Sequence, residues 1–317
     1  MILIAGIPSE APVALAIDAA EEWGIAYVVL DQRAHRDWDL TLNLDPHSGW
    51  RGAMTGPDGG AVDLDEVTGI YTRMMDHHFL PAPGDGPARP GDLARADSFH
   101  HLFHAWLDVA QCRIANRPRA MMSNMSKSYQ AGLIARLGFA IPETLITNDP
   151  DAAIAFVDRC AAEGDEVIYK SVSGARSIVQ SFAQSDKARL GRIRWCPTQF
   201  QRKVRGTDYR VHVVGGRVFG TRIESAATDY RYAARQTGEA AALEATELPG
   251  RVAEACVALA AGLDLPFTGV DLRRTPNGDY VCFEANPCPA FSYYEDHTGA
   301  PISRALVRWL AGDDCAD

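Results

Sequence analysis

Apolar positions in this chain follow two rhythms, and their alternation predicts its elements. Over residues 1 to about 75, short apolar runs alternate with helical spacing. Ile2–Ile7 predicts a buried strand, and Ser9 the cap of a helix running to about Trp23, with Gly24 at its exit. Ile25–Leu30 and Gly69–Arg73 predict two more strands, the second after a glycine-rich excursion from Gly56 to Gly60. Strand–helix–strand order with apolar strands implies a parallel sheet. Four prolines and three glycines in 81–91 predict a loop, followed by a helix from Asp92 to about Gln111.

Asn116-Arg117-Pro118 marks a break and a domain boundary. Tyr129, Leu133 and Leu137 recur at helical spacing until Gly138, and Ile141-Pro142-Glu143-Thr144 reads as extended. Residues 150–163 predict an amphipathic helix. Val167–Lys170 and Ser177–Phe182 predict strands flanking the small-residue loop Ser171-Val172-Ser173-Gly174-Ala175-Arg176. Residues 198–225 predict two or three strands with a turn at Gly215-Gly216, and 250–262 a helix.

The segment Gly269 to Pro287 predicts a hairpin, because Asn277-Gly278 suits a two-residue turn with positive φ at both positions. That turn sets Pro276 opposite Asp279 and Asp271 opposite Glu284, with Cβ atoms roughly 4.5–5.5 Å apart. Asn286 shares the face of Glu284, while Val270, Leu272, Val281, Phe283 and Ala285 point to the other side. Two carboxylates this close repel unless a cation or a proton lies between them. Oxygen ligands suit a hard ion such as Mg²⁺. A solvated hairpin with scattered charges would not require this register, and a three-residue loop would break it.

With 317 residues, 47% of them apolar, the chain has length for two domains or three small ones. A net charge of −10 argues against a nucleic-acid partner. Seven spaced cysteines without a C-x-x-C fit a reducing compartment. The N-terminal apolar run lacks a basic flank and is too short to span a membrane, so a soluble cytoplasmic protein is expected. His100 and His104 are one helical turn apart and His77-His78 precede a loop, but with no H-E-x-x-H and no placed third ligand they read as ordinary histidines.

Lys127 lies in the first turn of a helix, where the dipole disfavours a cation unless an anion docks there. Lys170 enters the Ser/Gly loop, whose N–H groups could meet phosphate oxygens. Either could equally be a solvated lysine. Asp208 and Arg210 share a strand face, as do Arg222 and Glu224, which paired ions on a charged sheet would also explain. Arg73, ending the third strand, would face a cleft at the carboxyl end of the sheet and could bind a substrate carboxylate.

A lysine at a helix start, a lysine before a Ser/Gly loop, Gln199-Phe200-Gln201-Arg202-Lys203-Val204, Asp208-Tyr209-Arg210-Val211, then Gly269-Val270-Asp271-Leu272 and Phe283-Glu284-Ala285-Asn286-Pro287 come in a specific order. It resembles the ATP-grasp superfamily, in its RimK-type and glutathione-synthetase-like branch, over about residues 116–300. The resemblance implies an α/β and α+β ATP-grasp fold preceded by a small parallel α/β domain: residues 1–115, a central subdomain with a lid at 116–197, and a C-terminal subdomain at 198–317. It implies that Lys127 and Lys170 hold ATP phosphates and that Gln201, Lys203 and Val204 line the adenine. Asp271, Glu284 and Asn286 would hold Mg²⁺, two ions with Glu284 bridging, Mn²⁺ being an alternative. Arg210 and Arg222, with Arg231 in support, would steady the transferring phosphoryl group. The hinge carries Arg202 where the family usually has an acid, so Asp208 would stand in against the sugar. The loop after Lys170 is serine-rich, and Cys288-Pro289-Ala290-Phe291 differs from the stretch that peptide macrocyclases carry. The implied activity is ATP-dependent carboxylate–amine ligation through an acyl phosphate, with a lid at 165–185. Substrates would be small molecules or peptides, and a homo-oligomer is allowed. Modification of a ribosomal precursor peptide and a non-catalytic nucleotide-binding module are the alternatives.

Overall fold

The computed structural model describes residues 1–47, 49–80, 91–172, 179–225 and 241–313. Strands β1 (Ile2–Gly6), β2 (Tyr27–Asp31), β6 (Gly69–Thr72) and β7 (Arg113–Ala115) form a parallel sheet in the order β2-β1-β6-β7. Helix α1 (Ala11–Glu22) starts from Glu10, not Ser9, and has no side-chain cap, but it exits through Gly24 at φ +61° as expected. Helix α2 (Asp92–Val109) covers the other face, setting Phe99, Phe103 and Leu107 on Leu3, Ala5 and Ile70. The glycine-rich excursion holds an unanticipated antiparallel sheet of β3 (Asp39–Asp45), β4 (Gly49–Thr55) and β5 (Ala61–Asp63). It contributes Met54 and Val62 to the core beneath α2.

The central sheet contains β8 (Thr144–Thr147), β9 (Val167–Ser171), β10 (Gln180–Ser181) and β11 (Thr198–Arg202) in the order β10-β9-β11-β8, backed by α5 (Pro150–Ala162). Because β11 pairs with both β8 and β9, the division between sheets falls after Arg202 and not at residue 198. Short helix α3 (Pro118–Met121) and α4 (Lys127–Arg136) precede this sheet, yet α4 packs on the next one.

The C-terminal sheet is antiparallel: β12 (Thr207–Val214), β13 (Arg217–Glu224), β14 (Ala242–Thr246), β15 (Phe267–Arg274) and β16 (Tyr280–Asn286), ordered β14-β13-β12-β15-β16. Strand parity divides it cleanly. Val211, Val213, Val270, Leu272 and Ala285 face α4 and α6 (Gly250–Gly262). Val214, Ile223 and Phe267 face α7 (Ser292–Thr298) and α8 (Ile302–Ala311). Helix α8 also lies on α1 and β6, so the first and last sheets share one core. No helix among the described residues is long and apolar enough to cross a membrane.

Candidate active site

The acidic hairpin reaches its register by a different route from the one its sequence suggests. The turn is a three-residue loop, Pro276-Asn277-Gly278: Thr275 N–H donates to Asp279 O at 2.8 Å, and Gly278 sits at φ +91°. Arg274 therefore pairs with Tyr280 and Leu272 with Cys282, one residue out of the expected register. A bulge between Leu272 and Asp271 takes up the extra residue, and Asp271 pairs with Glu284 after all. Phe283 falls at this irregularity. It lines the cleft instead of the core, and Cys282 takes the core place, fully buried.

Each acid faces a cation. Arg210, directly opposite Asp271 on β12, donates from Nη1 to Oδ1 at 2.6 Å. Its guanidinium lies against Gly269, where a Cβ would come within 2.5–2.6 Å of it. The Tyr294 ring, 5.6 Å away, carries the same guanidinium, and His212 meets that ring edge-on at 4.9 Å. Burial holds the His212 pKa well below 6.5, so the imidazole is neutral beside Arg210. Lys127, first residue of α4, donates from Nζ to Glu284 Oε2 at 2.9 Å. Ser126 Oγ caps this helix by accepting from Tyr129 N–H at 3.3 Å. One turn on, the buried Gln130 amide donates to Ala285 O at 2.8 Å and accepts from Ala285 N–H at 3.1 Å, which sets α4 against β16.

The central sheet forms the opposite wall. Lys170 pairs with Gln199, and Gln201 lies between Thr144 and Ile168. Lys127, Lys170, Gln199, Gln201, Phe283 and Glu284 line a narrow cleft. Asn286 ends β16, its Oδ1 accepting from Cys288 N–H at 3.0 Å. An amide oxygen has a second lone pair for a further partner.

The hinge differs in detail from expectation. The Lys203 N–H donates to Glu166 O at 2.8 Å and its ammonium pairs with Glu166 at 2.7 Å. Val204 O accepts from Arg273 Nη1 at 2.8 Å. Arg273 also grips both oxygens of Asp208, at 2.7 and 2.8 Å, so Asp208 is part of the hinge brace and not an open sugar contact. Arg202 turns away toward Asp165, Glu163 and Glu143, at 2.6, 2.6 and 2.7 Å, and these hydrogen bonds raise its already high pKa.

Two expected arginines stand elsewhere. Arg222 pairs with Tyr209 across the strands, which puts it on the sheet face opposite Arg210 and Asp271, bound to Glu244 and Glu224. Arg73 sits at the carboxyl end of β6 as anticipated, but its guanidinium is committed to Glu10 at 2.7 Å and to the Cys288 and Pro289 carbonyls at 3.3 and 3.2 Å. It ties the first sheet to the loop after Asn286. Arg231 and loop residues 173–178, including Ser173 and Gly174, lie outside the described residues. Arg273, Gln130, Gln199 and Gly269 were not singled out from sequence as site residues, since nothing in their residue types marks them.

The RimK-like ATP-grasp domain family model matches residues 123–310. The chain belongs to the RimK-like ATP-grasp family. Its fold is therefore ATP-grasp, with a parallel α/β domain in front. The beta-citrylglutamate synthase B of Danio rerio is 26% identical over 212 residues, 64% of this chain and 52% of that protein. The chain thus spans about half the length of the curated relatives it matches. The macrocyclase MdnC of Microcystis aeruginosa MRC, solved with its precursor peptide MdnA, superposes with TM-score 0.76 at 21% identity over 98% of this chain and 99% of that one. The ATP-grasp ligase PsnB, solved with a minimal precursor, Mg and ADP, gives 0.73 at 25% identity over 98% and 96%. The RimK-like site suits a hard cation: two facing carboxylates and an amide oxygen share one sheet face, and Lys127 and Arg210 lie against the two carboxylates.

Proposed function

We propose that this protein is an ATP-dependent ligase joining a carboxylate to an amine, with release of ADP and phosphate. The observation that carries the reading is the row Arg210–Asp271–Glu284–Lys127, cation and anion alternating across one sheet face beside a cleft that also holds Lys170. When bound, Mg²⁺ would be held by Asp271, Glu284 and Asn286 and would neutralise phosphate charge, with two ions expected and Mn²⁺ a substitute. Lys127 and Lys170 bind the phosphates. Lys203 N–H and Val204 O are engaged within the hinge, which leaves the Lys203 carbonyl and the Val204 N–H to read the adenine edge.

A substrate carboxylate oxygen bonds to the γ-phosphorus of ATP as the bond to the β-phosphate oxygen breaks and ADP leaves. An amine nitrogen then attacks the acyl carbon, phosphate departs, and the amine gives up a proton. Arg210 stabilises charge on the transferring group, and the protein's contribution is mostly positioning and electrostatics. Segment 165–185 would close over the acyl phosphate and exclude water. Phosphate release screened over amino acids, dicarboxylates and short peptides tests the reading. ATP binding with no turnover on any of them would favour a non-catalytic nucleotide-binding module.

The near-complete overlap with MdnC and PsnB, against half coverage of the curated relatives, supports a second reading in which the carboxylate and amine belong to a precursor peptide. Peptide-induced ATP turnover with loss of one water from the peptide would select it.

A further inference from the structure

Imidazoles crowd one edge of the N-terminal domain. After β6 the chain passes Arg73 and Met75, whose N–H donates to the buried Gln32 Oε1 at 3.0 Å, and enters a single turn at His77–Phe79. Asp76 caps this turn, accepting from His78 N–H at 3.0 Å. One ligand-capable atom from each of Asp76, His77 and His78 lies within 4.8 Å of the other two. Asp97, in the second turn of α2, approaches the far nitrogen of both rings: His77 Nε2 at 2.5 Å and His78 Nε2 at 3.5 Å. His78 Nδ1 meets Asp76 Oδ1 at 2.8 Å. Behind them His100 stacks on His77 at 4.5 Å and 14°, 4% exposed, its Nε2 without a hydrogen-bond partner among the described residues.

We propose that Asp76, His77 and His78 form a site for a borderline divalent transition ion of the Zn²⁺ type, with Asp97 as the outer carboxylate that orients both imidazoles. Two imidazoles and one carboxylate are a donor set that Zn²⁺ favours and Mg²⁺ does not. Ligating histidines usually give their second nitrogen to a carboxylate, and Asp97 already stands at that nitrogen of each ring. Three protein ligands leave a coordination position open for water or a carboxylate. The site lies three residues beyond Arg73, at most about 11 Å of chain, at the carboxyl end of a parallel sheet where ligands of such folds bind.

Titration of the full chain with Co²⁺, read by its visible absorption and reversed by Zn²⁺, tests the assignment. One equivalent is expected to bind in the wild-type protein and in Asp271→Asn. Binding should be lost in the His77→Ala/His78→Ala double variant and weakened about 10–100-fold in Asp97→Asn. His78→Ala alone, a half-exposed ring, keeps the test readable if the double variant folds poorly. Equal Co²⁺ binding by wild type and His78→Ala, or no saturable binding by wild type, would overturn the site and leave Asp76, His77, His78 and Asp97 as ordinary surface ion pairs. An unchanged Asp97→Asn would overturn the role of the outer carboxylate.

Discussion

A methyl group on Gly269 would decide whether Asp271 keeps its arginine. The added carbon would lie 2.5–2.6 Å from the Arg210 guanidinium, the far end of a long side chain, so the guanidinium moves and the backbone stays. Gly269→Ala is expected to remain folded and to lose about 10²-fold in kcat, the scale of removing one charge-stabilising donor. Unchanged turnover would show that the Arg210–Asp271 contact is dispensable. At this scale the sequence was informative where chemistry sits in the residue type. Asp271, Glu284, Lys127, Lys170 and Gln201 were all legible, and the fold brings them to one row and one cleft. Arg222 was misassigned because a two-residue repeat shows which neighbours share a face, not which face looks into the site. Arg273 was invisible, since its value lies in reaching Asp208 and Val204 from another strand.

Two braces hold the elements in register, and each has its own signature. Replacing Gln130 with Leu keeps the volume but leaves the buried Ala285 N–H and carbonyl without their partners. The expected cost is about 1–3 kcal/mol, seen as a lower midpoint in denaturant, with a larger fractional loss of activity because α4 carries Lys127. Arg273→Met releases the hinge carbonyl and Asp208 together. It should raise the KM for ATP roughly tenfold with a smaller change in kcat; a variant that loses only kcat would place Arg273 in the chemistry and not in the hinge. The hairpin itself shows the limit of reading elements from residues. Asn277-Gly278 marked the turn, but its length was one residue longer than the pattern suggests, and the compensating bulge at Phe283 left no trace in the alternation. The sheet of β3, β4 and β5 was the reverse case. Leu40, Leu42 and Leu44 do alternate, and the glycines nearby obscured a strand that the pattern contained.

Across the whole molecule, neutral buried imidazoles link stability to acidity. Burial lowers the pKa of His35, His100 and His212 in the folded chain, His100 to about 4 and His212 well below 6.5. The unfolded chain takes up these protons at about pH 6.5. Stability is therefore complete above that pH and falls as pH drops below it, because only the unfolded state gains protons there. Urea midpoints measured at pH 7.5 and 5.5 should differ in that sense, and equal midpoints would contradict the burial of these rings. The strands of the parallel, central and C-terminal sheets left a pattern in the sequence, whereas the small β3–β5 sheet and the way the sheets are joined did not. Ile302, Leu306 and Leu310 of α8 complete the core that Ile2, Ile4 and Val13 begin. A ribosome making this chain exposes that first sheet long before its cover exists. At about 5–20 residues per second, the gap between β7 and α8 lasts roughly 10–40 s, during which the part of that core covered by α8 must be shielded by something other than its native neighbour.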